Sequence, residues 1–586
     1  MRGFFKTFFA SFLALVIFAI LGVVLFFGFL ASITSPDKPV VGRNAVLVLD
    51  LSNKFKERPN DNLISTAFNG TEDDIPSLYD AVQLIHHAVS DSSVKGIYIL
   101  CGNNSNGFAA SEELREALLE FKSKKKFIVA YGEAISQKGY YVGNVADKLY
   151  CHPQGGVDWS GFSVDLLFLK GTLEKLEIQP EIFYAGKFKS ATEPFRETKM
   201  TDANRLQTAV WLGELYNRFL LAAAQTRKTD TAVLRGLAVN GTIQTAKDAL
   251  DNKLVDGLKY DDEVKDELLE RLDLDDNDRL NFVKLGEYSK AVNWQKNTGS
   301  KRIAIIYADG DIVSGNGGEE QVGSDAFRTI LRRVRLDKDV KAVVFRVNSP
   351  GGSSLASDVI WREISLTRKE KPVVVSMGDV AASGGYYISC NADSVFADAN
   401  TITGSIGVFS MLANMQSFFK NKLGITFDGV KTAPYADMGS SSRPLTEAEK
   451  RFFQASVDTI YHTFKSRVAD GRKKDIMYVD SIAQGRVWTG SYGVSIGLVD
   501  KIGTMQDAVD CAARMAGLKN EYRIKEYPEK RSLLDQLMNN YKHSVKKDLM
   551  KNEIGEEQLL LLKQYRQIKQ MIGEPQAKLP FVFDIH

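Results

Sequence analysis

DSSVKGIYIL (residues 91–100) and DKDVKAVVFR (337–346) read as one stretch written twice, and that repetition decides the fold. At the same offset of 246 residues, KKFIVAYGEAISQKGYY (125–141) returns as KPVVVSMGDVAASGGYY (371–387). VADKLYCHPQGGVDWSG (145–161) returns as NADSVFADANTITGSIG (391–407), and TAKDALDNKLVDGL (245–258) as TGSYGVSIGLVDKI (489–502), now at an offset of 244. Order and spacing persist for more than 160 residues, so the chain is an internal duplication. The expected division is an N-terminal segment (1–40), a first unit (41–300), a second unit (301–517) and a charged, helical extension (518–586) with the apolar tail LPFVFDIH.

Each unit carries the same local pattern. Short β-branched runs (IYIL, FIVAY, AVVFRV, PVVVSM) bounded by turn residues predict buried strands. Helical stretches such as 112–122 and 357–367 alternate with them, which predicts βαβ units and a mostly parallel sheet, an α/β fold. Composition agrees with globular material: 44% apolar, 25% charged, 46 Gly and 14 Pro in 586 residues exclude disorder and low-complexity architecture. Lys plus Arg number 75 against 73 Asp plus Glu, so the basic excess that a nucleic-acid partner needs is missing. Cys101, Cys151, Cys390 and Cys511 are too few for a disulfide framework, and none forms a CxxC pair.

Phe8 to Ile33 is 26 residues without a charge, and as a helix it would run about 39 Å, past the roughly 30 Å hydrocarbon core of a bilayer. Signal-peptide cores are shorter, about 7–15 residues, so an uncleaved signal anchor is expected, the alternative being a signal cleaved near Ala31. Arg2 and Lys6 precede the span, which places the N-terminus in the cytoplasm and everything after residue 40 outside.

Chemistry in an open α/β sheet sits at strand-to-turn junctions. In the second unit NSPGG (348–352) follows AVVFRV, and AASGGYY (381–387) follows PVVVSM. Ser383, among small residues and ahead of a helix start, has what an acyl-transfer nucleophile requires: an accessible oxygen with backbone N–H groups near it. A structural Ser-Gly-Gly turn with an N-cap is the plain alternative. A serine needs a base. The chain has six histidines, and none lies between Ser383 and His462. GVSIG (493–497) fits the GxSxG elbow pattern but lacks an apolar strand before it, so it reads as a helix end.

AASGGYY, TGSIG (403–407), NSPGG and, in the first unit, GKFKSATEPF (186–195) together closely resemble the signal peptide peptidase A (protease IV) family in its long, duplicated form, over residues 1 to about 520. The resemblance implies tandem crotonase-like (ClpP-like) α/β units behind an N-terminal transmembrane helix. It implies a membrane-anchored serine endopeptidase without metal or cofactor, acting on cleaved signal peptides and other apolar peptides as a homotetramer on the extracytoplasmic side of the inner membrane. Carried over by position, it implies Ser383 as nucleophile, Lys189 as general base, Ser405 as the residue orienting the lysine amine, and the N–H groups of Gly352 and Gly384 as the oxyanion hole.

The repeat supplies an independent check. Ser383 aligns with Gln137, and Gly351 and Gly352 align with Ser105 and Asn106, so the first unit lacks both nucleophile and oxyanion loop. With a one-residue gap Lys189 faces Ala436, so the base belongs to the first unit alone. A lysine amine with a reference pKa of about 10.4 is charged near neutrality, and only burial makes it a base. Lys187 is the rival for that role, with Lys431 behind it. A crotonase-type acyl-CoA enzyme and a catalytically silent membrane scaffold are the competing readings of the whole chain.

Overall fold

In the computed structural model, which describes residues 2–34, 39–58, 75–275, 277–295, 299–318, 320–519, 521–529, 571 and 573–579, the β-branched runs are buried strands. The first unit contributes β1 (Ala45–Asp50), β2 (Val94–Leu100), β3 (Phe127–Ile135), β4 (Lys148–Val157), β5 (Gln179–Ala185), β6 (Gly257–Leu258) and β7 (Asn281–Lys284). All but β5 form one parallel sheet in the order β6-β4-β3-β2-β1-β7.

The second unit contributes β8 (Arg302–Asp309), β9 (Asp311–Val313), β10 (Gln321–Gly323), β11 (Val340–Ser349), β12 (Gly351–Ser353), β13 (Val373–Ala382), β14 (Ser394–Ala397), β15 (Ile402–Gly404), β16 (Val408–Asn414), β17 (Val487–Thr489) and β18 (Lys501–Ile502). Its main sheet runs β17-β15-β13-β11-β8 and is parallel except at the β15–β17 pair.

The duplication is visible in side-chain hydrogen bonds as well as in strand order. Tyr140 Oη donates to Leu254 O (2.9 Å), and Tyr386 Oη to Leu498 O (2.8 Å). Asp256 accepts from Leu149 N, and Asp500 accepts from Val395 N, both at 2.8 Å. GVSIG lies at the end of the short helix Gly490–Ser495, as its missing strand suggested.

Among the contacts that join the units, two stand out. The first is a mixed sheet, β10-β9-β12-β20-β16-β5, in which β5 of the first unit pairs antiparallel with β16 over seven residues. Here β20 is Gln576–Lys578. The second is a buried ionic cluster. Arg346 of β11 meets Glu57 at 2.8 Å and Glu113 at 2.7 Å, and all three are almost fully buried. Beside it, the Asp379 carboxylate accepts from Ala109 N (2.9 Å) and Ala110 N (3.2 Å) at the start of the helix Phe108–Ser123. A Cβ on Gly107 would come within 2.2 Å of that carboxyl, so glycine precedes this helix for close approach.

The extension after 518 differs from the helical expectation where it is described. Arg523–Tyr527 (β19) adds in parallel to the edge of β8, and β20 pairs with β12 and β16. Both satisfy sheet edges that would otherwise leave backbone groups unpaired. The stretch LLLLKQYRQIKQM (559–571) lies outside the described residues up to its final Met571. At the other end, Arg2–Thr34 is one helix of 33 residues, and its segment Gly3–Gly22, apolar and exposed, is long and apolar enough to cross a membrane.

Candidate active site

β13 delivers Ser383. The strand ends at Ala382 and the helix Gly384–Ser389 begins one residue later. Ser383 sits between them at φ 55°, ψ −113°, a region that non-glycine residues seldom occupy. The turn is held by its own N–H, which donates to Gly404 O at 2.8 Å. Ser405 is also at positive φ, 52°, and its N–H donates to Arg486 O at 2.7 Å. Two buried hydroxyls are thereby aimed at one point.

The third group arrives from the other unit. Because β5 is stitched to β16, the turn that follows it enters the second unit's core and carries Lys189 with it. The Lys189 amine donates to Ser383 Oγ at 2.9 Å, to Ser405 Oγ at 3.2 Å and to Ser405 O at 3.5 Å. Lys189 is 2% exposed, and Ser383 and Ser405 are fully buried. Among the described residues no carboxylate offsets the burial, and desolvation lowers the Lys189 pKa to about 7. The two rivals are elsewhere. Lys187 is exposed over the Phe188 ring, and Lys431 is exposed and paired with Asp437 at 2.7 Å.

The glycine loop lies against the same point. A Cβ on Gly351 would come 2.6 Å from Gly384 N, and one on Gly352 would come 1.9 Å from Ile312 O. The close packing of β9, β12 and the helix start therefore depends on glycine at these positions. Ala577 of β20 crosses here, its carbonyl oxygen 2.1 Å from a Cβ on Gly351 and 3.0 Å from one on Gly384. In the first unit the corresponding position is sealed: Gln137 is buried, donating to Gly161 O and accepting from Gly161 N.

The sequence reading did not anticipate Gln207. Its amide nitrogen donates to Phe188 O and Ser190 Oγ, each at 3.1 Å, and its carbonyl accepts from Val487 N at 3.2 Å. It braces the residues on both sides of Lys189, and nothing in its helical surroundings marks it in the sequence.

The model for peptidase family S49 matches this chain twice, over residues 120–275 and 365–519. Protease 4 of Salmonella typhi is 36% identical over 517 residues, 85% of this chain and 83% of the relative. The chain belongs to peptidase family S49. A second relative, the chloroplastic serine protease SPPA of Arabidopsis thaliana, is 33% identical over 74% of this chain and 64% of its own. Among solved structures, a ClpP1 variant from Listeria monocytogenes aligns with 35% of this chain and 94% of its own, at 14% identity and a TM-score of 0.24. The two S49 matches fall one in each unit, the first spanning Lys189 and the second Ser383 and Ser405. The chain is thus a serine-type peptidase in the duplicated form that the sequence resemblance implied.

Proposed function

We propose that this S49 peptidase works through a Ser383–Lys189 dyad, with Ser405 orienting the amine and the N–H groups of Gly352 and Gly384 holding the oxyanion. The observation that carries the reading is the 2.9 Å contact between the Lys189 amine and Ser383 Oγ, made by a buried lysine with no acidic partner among the described residues. A neutral amine has a lone pair to accept the Ser383 proton while its own N–H groups donate to Ser405. Ser383 Oγ then attacks the substrate carbonyl carbon, and the oxyanion forms beside the two glycine N–H groups. Lys189 returns the proton to the leaving nitrogen as the C–N bond breaks, which leaves an ester on Ser383. Water, deprotonated by the same amine, attacks the ester and releases the acid.

The substrates in this reading are apolar peptides, cleaved signal peptides among them. The Arg2–Thr34 helix is the single-pass anchor that keeps the catalytic units on the extracytoplasmic side of the inner membrane, and the expected assembly is a homotetramer, testable by sedimentation in detergent. A fluorophosphonate should label the wild-type protein at Ser383, and Ser383→Ala and Lys189→Ala should each remain folded and unlabelled. Labelling of Ser383→Ala would move the nucleophile elsewhere. Labelling of Lys189→Ala at the wild-type rate would remove the lysine from the mechanism.

The pH profile follows from the same amine. Below about 7 it is ammonium and cannot accept a proton, so kcat/KM should fall about tenfold per pH unit on the acid side. A flat profile from about pH 5 to 9 would exclude an amine base.

A further inference from the structure

Lys189 and Ser405 belong to different units, and their separation is fixed by a third segment to which no role has been given. In the turn 484–486, the first residue bonds to the lysine side and the next two to the serine side. Gln484 O accepts from Phe188 N at 2.7 Å, on the lysine side. Gly485 N donates to Ile406 O at 2.8 Å, and Arg486 O accepts from Ser405 N at 2.7 Å, on the serine side. Gly485, at φ 72°, lies so close to the lysine that a Cβ there would be 2.7 Å from Lys189 N and 2.8 Å from its Cα. Those are backbone atoms, which cannot swing aside as a flexible side chain would. The Gln207 amide closes the far end by tying Phe188 O to Val487 N.

We propose that this turn, centred on Gly485 and braced by Gln207, sets the distance between the base and the two hydroxyls, so that Gly485 and Gln207 are positioning residues for peptide hydrolysis. The proposal rests on Lys189 being the base. Neither residue touches the reacting atoms; both act through the backbone of 188–190.

The duplication provides an internal control. SIAQGRVWTG (481–490) aligns with LAVNGTIQTA (237–246), which places Gly485 on Gly241. Thr489 and Thr245 cap the helices that follow in the same way. Gly241 has φ 57°, yet a Cβ there would meet nothing within 4 Å. The positive φ therefore belongs to the repeated fold, whereas contact with a lysine-bearing turn belongs to Gly485.

Other charged and titratable groups around the turn are few. Tyr461 Oη accepts from Gln484 N, Asp480 accepts from the Gln484 side chain, and Lys465 pairs with Asp480. Arg486 stacks between Phe188 and Trp488, and Lys187 points to solvent. Among the described residues none of these contacts the Lys189 amine. A change in how that amine titrates therefore reports its own displacement into water.

The test measures peptide hydrolysis and fluorophosphonate labelling of the full chain from about pH 5 to 10. Gly485→Ala is expected to lower kcat by ten- to a hundredfold with KM changed less than threefold. Its acid limb should move upward from about 7 toward the ordinary lysine range as the amine regains water. Gln207→Leu, which adds no bulk at the turn, should move the limb in the same direction by a smaller amount. Gly241→Ala should lower the thermal midpoint and leave the limb in place. Limbs unchanged in both Gly485→Ala and Gln207→Leu would overturn the proposal, and if Gly485→Ala fails to fold, Gln207→Leu decides alone. Wild-type activity in Lys189→Ala would instead overturn the reading beneath it.

Discussion

Lys189→Met is expected to leave a folded protein with hydrolysis reduced by at least a hundredfold and with no loss of stability at pH 7. Loss of a general base costs roughly 10²–10⁴ in rate. In the proposed dyad Ser383 and Lys189 act as a unit, so adding Ser383→Ala to Lys189→Met should cost little more. The stability side follows from proton linkage. Unfolded, the amine holds its proton up to about pH 10.4; folded, it gives it up near 7. Between those values unfolding takes up a proton, so the wild-type protein grows more stable as pH rises through the window. Methionine has similar reach and no charge to desolvate. Its advantage should be largest near pH 7 and fade toward pH 10, offset in part by the hydrogen bonds lost to Ser383 and Ser405. Urea denaturation at pH 7 and 9.5 measures it. A variant clearly less stable than wild type at pH 7 would mean that the lysine contributes more as a hydrogen-bond donor than its burial costs.

Arg346→Ala should produce the largest structural effect, a loss of about 3–5 kcal/mol, because it strands two carboxylates in the interior. Glu57 and Glu113 come from the first unit and Arg346 from the second, so the damage falls on the contact between units. Burial already pushes the Glu113 carboxyl above its usual range while Arg346 pulls it back. Without the arginine the carboxyl should protonate more readily, and the deficit should shrink as pH falls toward 5. Activity should drop with stability, since separated units take Lys189 away from Ser383. Arg346→Met fills the space but leaves the same charges, so it should recover little. A deficit below about 1 kcal/mol at pH 7 would show that the β5–β16 ladder and the other contacts between the units hold them together without the ionic cluster.

Local residue patterns disclosed most of the second unit's share of the site. β-branched runs fixed β11 and β13, and a serine followed by two glycines at the end of β13 marked the junction where a hydroxyl is presented. Lys189 was different. Whether a lysine in GKFKSA is solvated or buried depends on β5 pairing with a strand more than 220 residues later, and no local periodicity records that. Family resemblance named it; residue pattern alone did not. The second unit's counterpart around Ala436 shows what the same region does without such pairing: it is exposed, with Lys431 turned to Asp437. Gln576–Lys578 escaped for a related reason. Three polar and small residues have no strand signature of their own, and they are extended because β12 and β16 leave a gap between them.

That gap has a consequence for turnover. Ala577 lies on the glycines beside Ser383, held by Leu579 N on Pro350 O, by Pro575 O on Ser354 N, and by Lys578 against Asp311 at 2.8 Å. With Gln576–Lys578 seated there, β12 and β16 already have a pairing partner on the edges beside Ser383, so a polypeptide adding to either strand would first have to displace this segment.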